Sequence, residues 1–374
     1  PPTAHPTTPT PRQTKQPIET PKNKNHTQTG AITEAELNAP GIQVELKSIE
    51  DTRMLDFCTP VRLASSKVVS FHKKALKLTT NIHGIDAIGK VVPQKLNLLN
   101  VWKEMVDVQL GKATEASGKY ALVSLEKATE ALRNGDIDVL VTAPIDKNNI
   151  QSDSFKFKGH TEFLESKLEG EALMILCSGD VRVGLITGHI PIHQVAEEIT
   201  ADLISKKVTM MYKSLVEDFN ISKPKIAVLG LNPHCGDQGI IGAEDDEIVR
   251  PTLERFQKKG QLVYGPYAAD SFFGNSSHKK FDGILAMYHD QGLAPFKTLA
   301  FGKGVNFTAG LDKIRTSPDH GTAFEIAGKG EAEFSSFKEA IFMAINLFKA
   351  REEYKNLIED KLEIQKEKKK QYSK

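Results

Sequence analysis

Through the middle of the chain, short apolar runs alternate with stretches of helical periodicity. Residues 139–142, 173–176, 181–186, 226–229 and 284–287 are rich in Val, Ile and Leu and have the length of buried strands. Between them, Val195, Ile199, Leu203, Val208, Met211 and Leu215 recur close to every four residues, which predicts one amphipathic helix packed on a sheet. Near the C-terminus, Ser336 with Glu339 three residues on has the form of a capping box. Phe337, Ile341, Ile345 and Phe348 follow at helical spacing. Strand, helix and strand in succession imply an α/β fold with a largely parallel sheet.

Three of these runs share an ending. His189, His234 and His289 stand just past the apolar residues of VGLITGHIP, IAVLGLNPHCGD and GILAMYHDQG. Strand ends are where an open α/β sheet forms its cleft, so three imidazoles leaving strands at one edge could converge on a divalent metal. A lone histidine is more often a loop or satisfied core residue; the repeated context is what points to a metal. Their separations of 45 and 55 residues match no short ligand motif, so the triad depends on the fold.

Composition narrows the function classes. Lys+Arg 49 against Asp+Glu 48 leaves a formal charge of +1, and hydrophobic residues make up 39%, values that give no global reason to expect a nucleic acid or a membrane as partner. No apolar run has the length of a membrane span or a secretory leader, so the expected location is cytoplasmic. Cys58, Cys177 and Cys235 are far apart and odd in number, which argues against a disulfide framework and makes Cys235, beside His234, a bystander. Residues 1–29 hold seven of the 18 prolines and Ile18 as the one aliphatic side chain larger than alanine, a composition that predicts disorder. The basic residues 359–374 read as a solvated tail.

Two further segments carry groups suited to an anion. KGHTEF places Lys158, His160, Thr161 and Glu162 together, and the stretch from Pro295 to Gly328 holds Lys297, Lys303, Asn306 and Arg315 among glycines. Lysine and arginine supply charge, and glycine lets backbone N–H groups approach a phosphate. Asp270 and Asp290 add carboxylates near the proposed metal edge, where they could act as general acid or base. No Walker-type or GxGxxG loop is present.

TAPIDK, KGHTEF, TGHIPI, GLNPHCGDQG, AMYHDQGLAPFK, GKGVNFTAGL and IRTSPDHGTAFEIAGKG, in this order over about residues 45 to 350, resemble the 4-hydroxythreonine-4-phosphate dehydrogenase family of vitamin B6 biosynthesis. The last motif also resembles a segment of isocitrate and isopropylmalate dehydrogenases. The resemblance implies a two-domain α/β/α architecture with a cleft between the domains. One domain, on the NAD side, would comprise residues 30–138 and 311–358; the other, on the metal and substrate side, residues 139–310. It further implies NAD lying along Asp319, His320, Gly321 and Thr322, and one Zn, Co, Ni, Mn or Mg ion held by His189, His234 and His289. The phosphorylated hydroxy-acid substrate would meet His160, Thr161, Lys297, Asn306 and Arg315 at its phosphate end and Asp270 and Asp290 at its amino and hydroxyl end. A homodimer with a shared site and a reaction of oxidation followed by decarboxylation complete the expectation. Alternatives are a paralogue acting on a threonate or erythronate phosphate and a catalytically impaired binding protein. The second has some support in AITEAELNAPGIQV, where Ala35 and Ala39 replace glycines of the family's first loop and Glu36 its acidic residue, while NKNHTQTG before it lacks the apolar residues of a strand.

Overall fold

The computed structural model describes residues 29–33, 37–153 and 155–359. Of the expected tails, 1–29 and 359–374, all but Thr29, which opens a strand, and Glu359, which ends a helix, lie outside the described residues, as do Ala35 and Glu36.

The chain first lays down β1 (Thr29–Thr33), α1 (Gly41–Glu50), β2 (Thr59–Ala64), α2 (Ser66–Ala75), β3 (Ile82–Ile85), β4 (Leu96–Asn100), α3 (Glu115–Asn134) and β5 (Val139–Thr142). There follow α4 (His160–Lys167), β6 (Gly170–Ser178), β7 (Val181–Leu185), α5 (Val195–Glu198), α6 (Ala201–Glu217), β8 (Lys225–Leu229), α7 (Arg250–Lys258) and β9 (Leu262–Tyr267). The last group is α8 (Ala269–Gly274), β10 (Gly283–Ala286), α9 (His289–Ala300), β11 (Val305–Leu311), β12 (Ile314–Pro318) and α10 (Ser335–Glu359). Among the described residues all twelve strands join one sheet, in the order β3-β4-β2-β1-β5-β12-β11-β6-β7-β10-β8-β9. The three antiparallel pairings, β12·β11, β11·β6 and β6·β7, are consecutive. They weld two parallel halves into a mixed sheet. The boundary expected at residue 139 falls at the start of β5, whose neighbours β1 and β12 both belong to the first half.

Alternation along the strands sorts side chains into layers. Val139 and Val141 of β5, Phe307 and Ala309 of β11 and Ile314 of β12 join one large core with buried residues of α1, α2, α6, α7 and α10. The opposite face is covered by two smaller clusters, one under α3 and α4, the other under α8 and α9. Thr142, Asn306, Thr308 and Arg315 alternate with the large-core residues and so lie on the face that the two smaller clusters divide. That gap is where a polar cleft can form.

Several local expectations need correction. A strand does form at Thr29–Thr33, between β2 and β5, although the residues before it are polar. Among the described residues eight of eleven strand pairings are parallel, and the stretch around Asn306 and Arg315, expected to supply a phosphate pocket, forms the antiparallel pair β11·β12. The helix predicted from Val195 to Leu215 is interrupted: Ile199 is extended, and the Thr200 side chain accepts the Leu203 N–H at 3.2 Å, starting α6 afresh. The capping box at Ser336 is replaced by Glu333, whose carboxylate accepts the N–H groups of Phe334 and Ser335, both at 2.9 Å. Ser336 is buried in the first turn of α10.

Candidate active site

The strands β7, β10, β8 and β9 are neighbours and all parallel, so their C-terminal ends open at one edge. His189 follows β7, His289 follows β10, His234 follows β8, and Asp270 follows β9. Pairing continues past the first two strands: the N–H groups of Ile186 and Thr187 reach the carbonyls of Ala286 and Met287 at 2.9 and 3.1 Å, and the Thr187 hydroxyl donates to Met287 at 2.6 Å. This brings the rings of His189 and His289 to a centroid separation of 5.3 Å. His289 Nδ1 lies 2.7 Å from Asp290 Oδ1. A carboxylate there accepts a hydrogen bond from Nδ1–H, which keeps the proton on Nδ1 and leaves the Nε2 lone pair free. Burial, then the nearby Lys147 charge, pushes the His189 imidazole below its ordinary range, only partly opposed by Glu162. A neutral ring is the form that binds metal.

His234 occupies a compressed loop. His234, Cys235, Gly236, Asp237 and Gln238 all have positive φ, between 44° and 82°, a left-handed turn that costs non-glycine residues about 1–2 kcal/mol each. Asp245 anchors the loop: fully buried, it accepts the N–H groups of Leu231 and Asn232 at 2.8 and 2.9 Å. Gly236 packs so closely on the carbonyl of Gly242 that a methyl group would collide with it. The His234 side chain remains exposed. Cys235 is pushed up to about 11, by burial first, with Asp245 and, more weakly, Asp270 adding to the shift, so it is no ready thiolate. Among the described residues no three His, Cys, Asp or Glu side chains stand together closely enough to enclose an ion. His189 and His289 are paired; His234 stays on the adjacent strand's loop.

In the gap between the smaller cores sits Arg315, 3% exposed. Its Nε and Nη2 both donate to the Thr142 hydroxyl, at 3.0 and 2.6 Å, and Nη1 donates to the Thr308 hydroxyl at 3.3 Å. Burial pulls its guanidinium down to about 9, with Glu162 the nearby charge opposing the shift. A buried cation held by neutral hydroxyls is a site prepared for an anion. Asn306, two residues from Thr308 on the same face, has a buried Oδ1 that makes no hydrogen bond. His160 and Thr161 open the first turn of α4, where backbone N–H groups favour anions. His160 is driven well below its ordinary range by burial, then by Arg315 and Lys147, so its ring is neutral. Lys297, by contrast, lies exposed on α9.

A separate cavity of about 620 Å³ is lined by Asp319, His320, Gly321 and Thr322, together with the start of α1 at Pro40 and Gly41. The segment expected to hold NAD thus forms its wall. Lys147 and Thr142 were not singled out from the sequence, although TAPIDK contains both; their roles depend on Arg315 and His160, far along the chain.

The pyridoxal phosphate biosynthetic protein PdxA family matches residues 56–344. A 4-hydroxythreonine-4-phosphate dehydrogenase from Bacteroides thetaiotaomicron is 48% identical over 326 residues, 87% of this chain and 90% of that protein. One from Sulfurihydrogenibium is 41% identical over 77% of this chain and 88% of its own. Among solved structures, a 4-hydroxythreonine-4-phosphate dehydrogenase from Burkholderia phymatum superposes with a TM-score of 0.72 at 31% identity, covering 86% of this chain and 99% of that one. The fold extends to a terephthalate 1,2-cis-dihydrodiol dehydrogenase from Burkholderia xenovorans, at a TM-score of 0.58 and 21% identity.

Proposed function

This chain belongs to the PdxA family and works as a 4-hydroxythreonine-4-phosphate dehydrogenase, an oxidoreductase of pyridoxal phosphate biosynthesis that uses a nicotinamide cofactor, and we propose how its residues divide that task. Arg315, His160, Thr161 and Asn306, with Lys297, bind the phosphate. Arg315 carries this assignment: among the described residues no carboxylate bonds its buried charge, so a phosphate dianion recovers desolvation energy already spent in folding. The cavity walled by residues 319–322 would hold NAD, whose nicotinamide would supply the hydride acceptor for C3 of the substrate.

His189 and His289 fit a divalent ion through their proximity and the His189 ring's depressed basicity, and His234 is the third ligand we assign on the neighbouring strand end. Held there, such an ion would supply Lewis-acid chemistry, polarising the oxygen on C3 for oxidation and decarboxylation. Zn, Co, Ni, Mn and Mg are the candidates. Asp290 orients His289, and Asp270, from the same sheet edge, meets the substrate's amino and hydroxyl end. The first domain, residues 30–138 and 311–358, presents NAD to a second comprising residues 139–310, and a homodimer completes the cleft. The reading is tested by NADH formation from the metal-loaded protein with 4-hydroxythreonine 4-phosphate, threonate 4-phosphate and erythronate 4-phosphate. Turnover confined to the first is expected; a preference for either aldonate overturns the assignment of the amino-group contacts. In the same protein, inorganic phosphate is expected to raise Tm, and Arg315→Met to abolish that rise. An unchanged rise in the mutant would place the phosphate elsewhere.

A further inference from the structure

We propose that Lys147 is a phosphate-binding residue, its ammonium supplying, beside Arg315, a second positive charge to the substrate's phosphate dianion. The inference rests on the phosphate pocket assigned above and extends it to a residue on the loop after β5. That loop is held firmly. Asp146 accepts the N–H groups of Asn148 and Asn149 at 2.8 and 2.9 Å, and Gln151 Nε2 donates to the Lys147 carbonyl at 2.9 Å. The carboxylate nearest in sequence is therefore committed to the turn, and Lys147 Nζ has no hydrogen-bond partner among the described residues.

Its side chain reaches the start of α4. A methyl group placed on Gly159 would stand 3.7 Å from Lys147 Cε and 3.7 Å from Glu162 Oε2, so the three form one wall beside His160. The charges of Arg315 and Lys147 both bear on the His160 ring. Lys158 closes the wall toward His189, donating to its carbonyl at 3.3 Å. Among the described residues the cluster then sets three cations, Arg315, Lys147 and Lys158, against one carboxylate, Glu162, a net excess of two positive charges. A phosphate monoester carries about two negative charges at neutral pH. Arg315 gives three N–H groups to Thr142 and Thr308, leaving part of the guanidinium for the anion. A flexible ammonium with three donors suits the remaining oxygens.

The test uses Lys147→Met and Lys147→Arg in the full chain, loaded with metal and NAD. Lys147→Met is expected to raise KM for 4-hydroxythreonine 4-phosphate roughly tenfold or more, as for loss of a charge-assisted hydrogen bond. KM for NAD should stay unchanged, and the Tm rise given by inorganic phosphate should shrink. Lys147→Arg should recover most of both. An unchanged substrate KM in Lys147→Met, a fall confined to kcat, or equal losses in Met and Arg variants would overturn the proposal. Arg315→Met separates the two levels. If it abolishes phosphate stabilisation while Lys147→Met retains it, Lys147 alone is misassigned; if neither variant affects phosphate, the pocket itself is.

Discussion

At the scale of single residues, the site is built around one costly group. Arg315 is a buried cation whose folded pKa, about 9, lies below the ordinary arginine value. The unfolded chain therefore binds more protons than the folded one above pH 9, and the folded state gains relative stability as pH rises through that value; at neutral pH the cost is present in full. Thr142 is what makes it tolerable, taking two guanidinium N–H groups on one oxygen. Thr142→Val should destabilise the protein by about 1–3 kcal/mol in urea unfolding, because it strands a buried charged donor. Thr142→Ser, which keeps the oxygen, should lie within about 1 kcal/mol of the parent. A loss in Thr142→Ser with none in Thr142→Val would show that the methyl group, not the hydroxyl, matters.

At the scale of elements, the informative places are those where a segment is held against its local preference. The turn around His234 is one. Gln238→Gly should stabilise the protein by about 1 kcal/mol, since glycine adopts positive φ without the Cβ penalty. No gain in a denaturant midpoint would mean that the turn is not left-handed in solution. The break between α5 and α6 is another: Thr200→Ala, removing the N-cap, should cost about 1 kcal/mol, read by the same unfolding curves. A third is the junction of α2 with the start of the chain. His72 is buried, its Nε2 donating to the Leu37 carbonyl at 2.7 Å and its Nδ1 facing Gln43 Nε2 at 3.4 Å. Burial, aided by the Arg62 charge, pushes it down to about 4. Its folded pKa lies below the unfolded value of about 6.5, so this contribution is complete above pH 6.5 and is lost as pH falls toward 4. Stability measured across that window should fall less steeply in His72→Gln than in the parent. An identical slope would place the acid sensitivity in other groups.

At the scale of the whole molecule, function depends on welding two parallel half-sheets through β11 and β6. Gly310 marks the bulge in that seam, with φ of 84° and the Glu171 carbonyl where a Cβ would stand. Gly310→Ala should lower the unfolding midpoint by more than the roughly 1 kcal/mol of an ordinary glycine replacement, as it adds a collision to the backbone strain. A neutral effect would show that the seam can shift. Among the described residues no helix is long and apolar enough to cross a membrane.

What the sequence determined by itself was local and chemical. Continuous apolar runs such as VLVT and GILA announce strands buried on both faces, and the histidines just past three such runs lie at the ends of adjacent parallel strands as that pattern implied. Seven ordered motifs were enough to identify the family, because loops that carry chemistry keep their residue types over long separations. The tertiary structure decided what depends on partners distant in the chain. β1 forms from polar surroundings because β2 and β5 offer it a slot in the sheet. Asn306 and Arg315 lie in paired strands, since β6 and β5 satisfy the backbone groups that a free loop would turn toward an anion. Thr142 and Lys147 gain their meaning from Arg315 and His160, a relation of charge and burial that linear spacing does not encode.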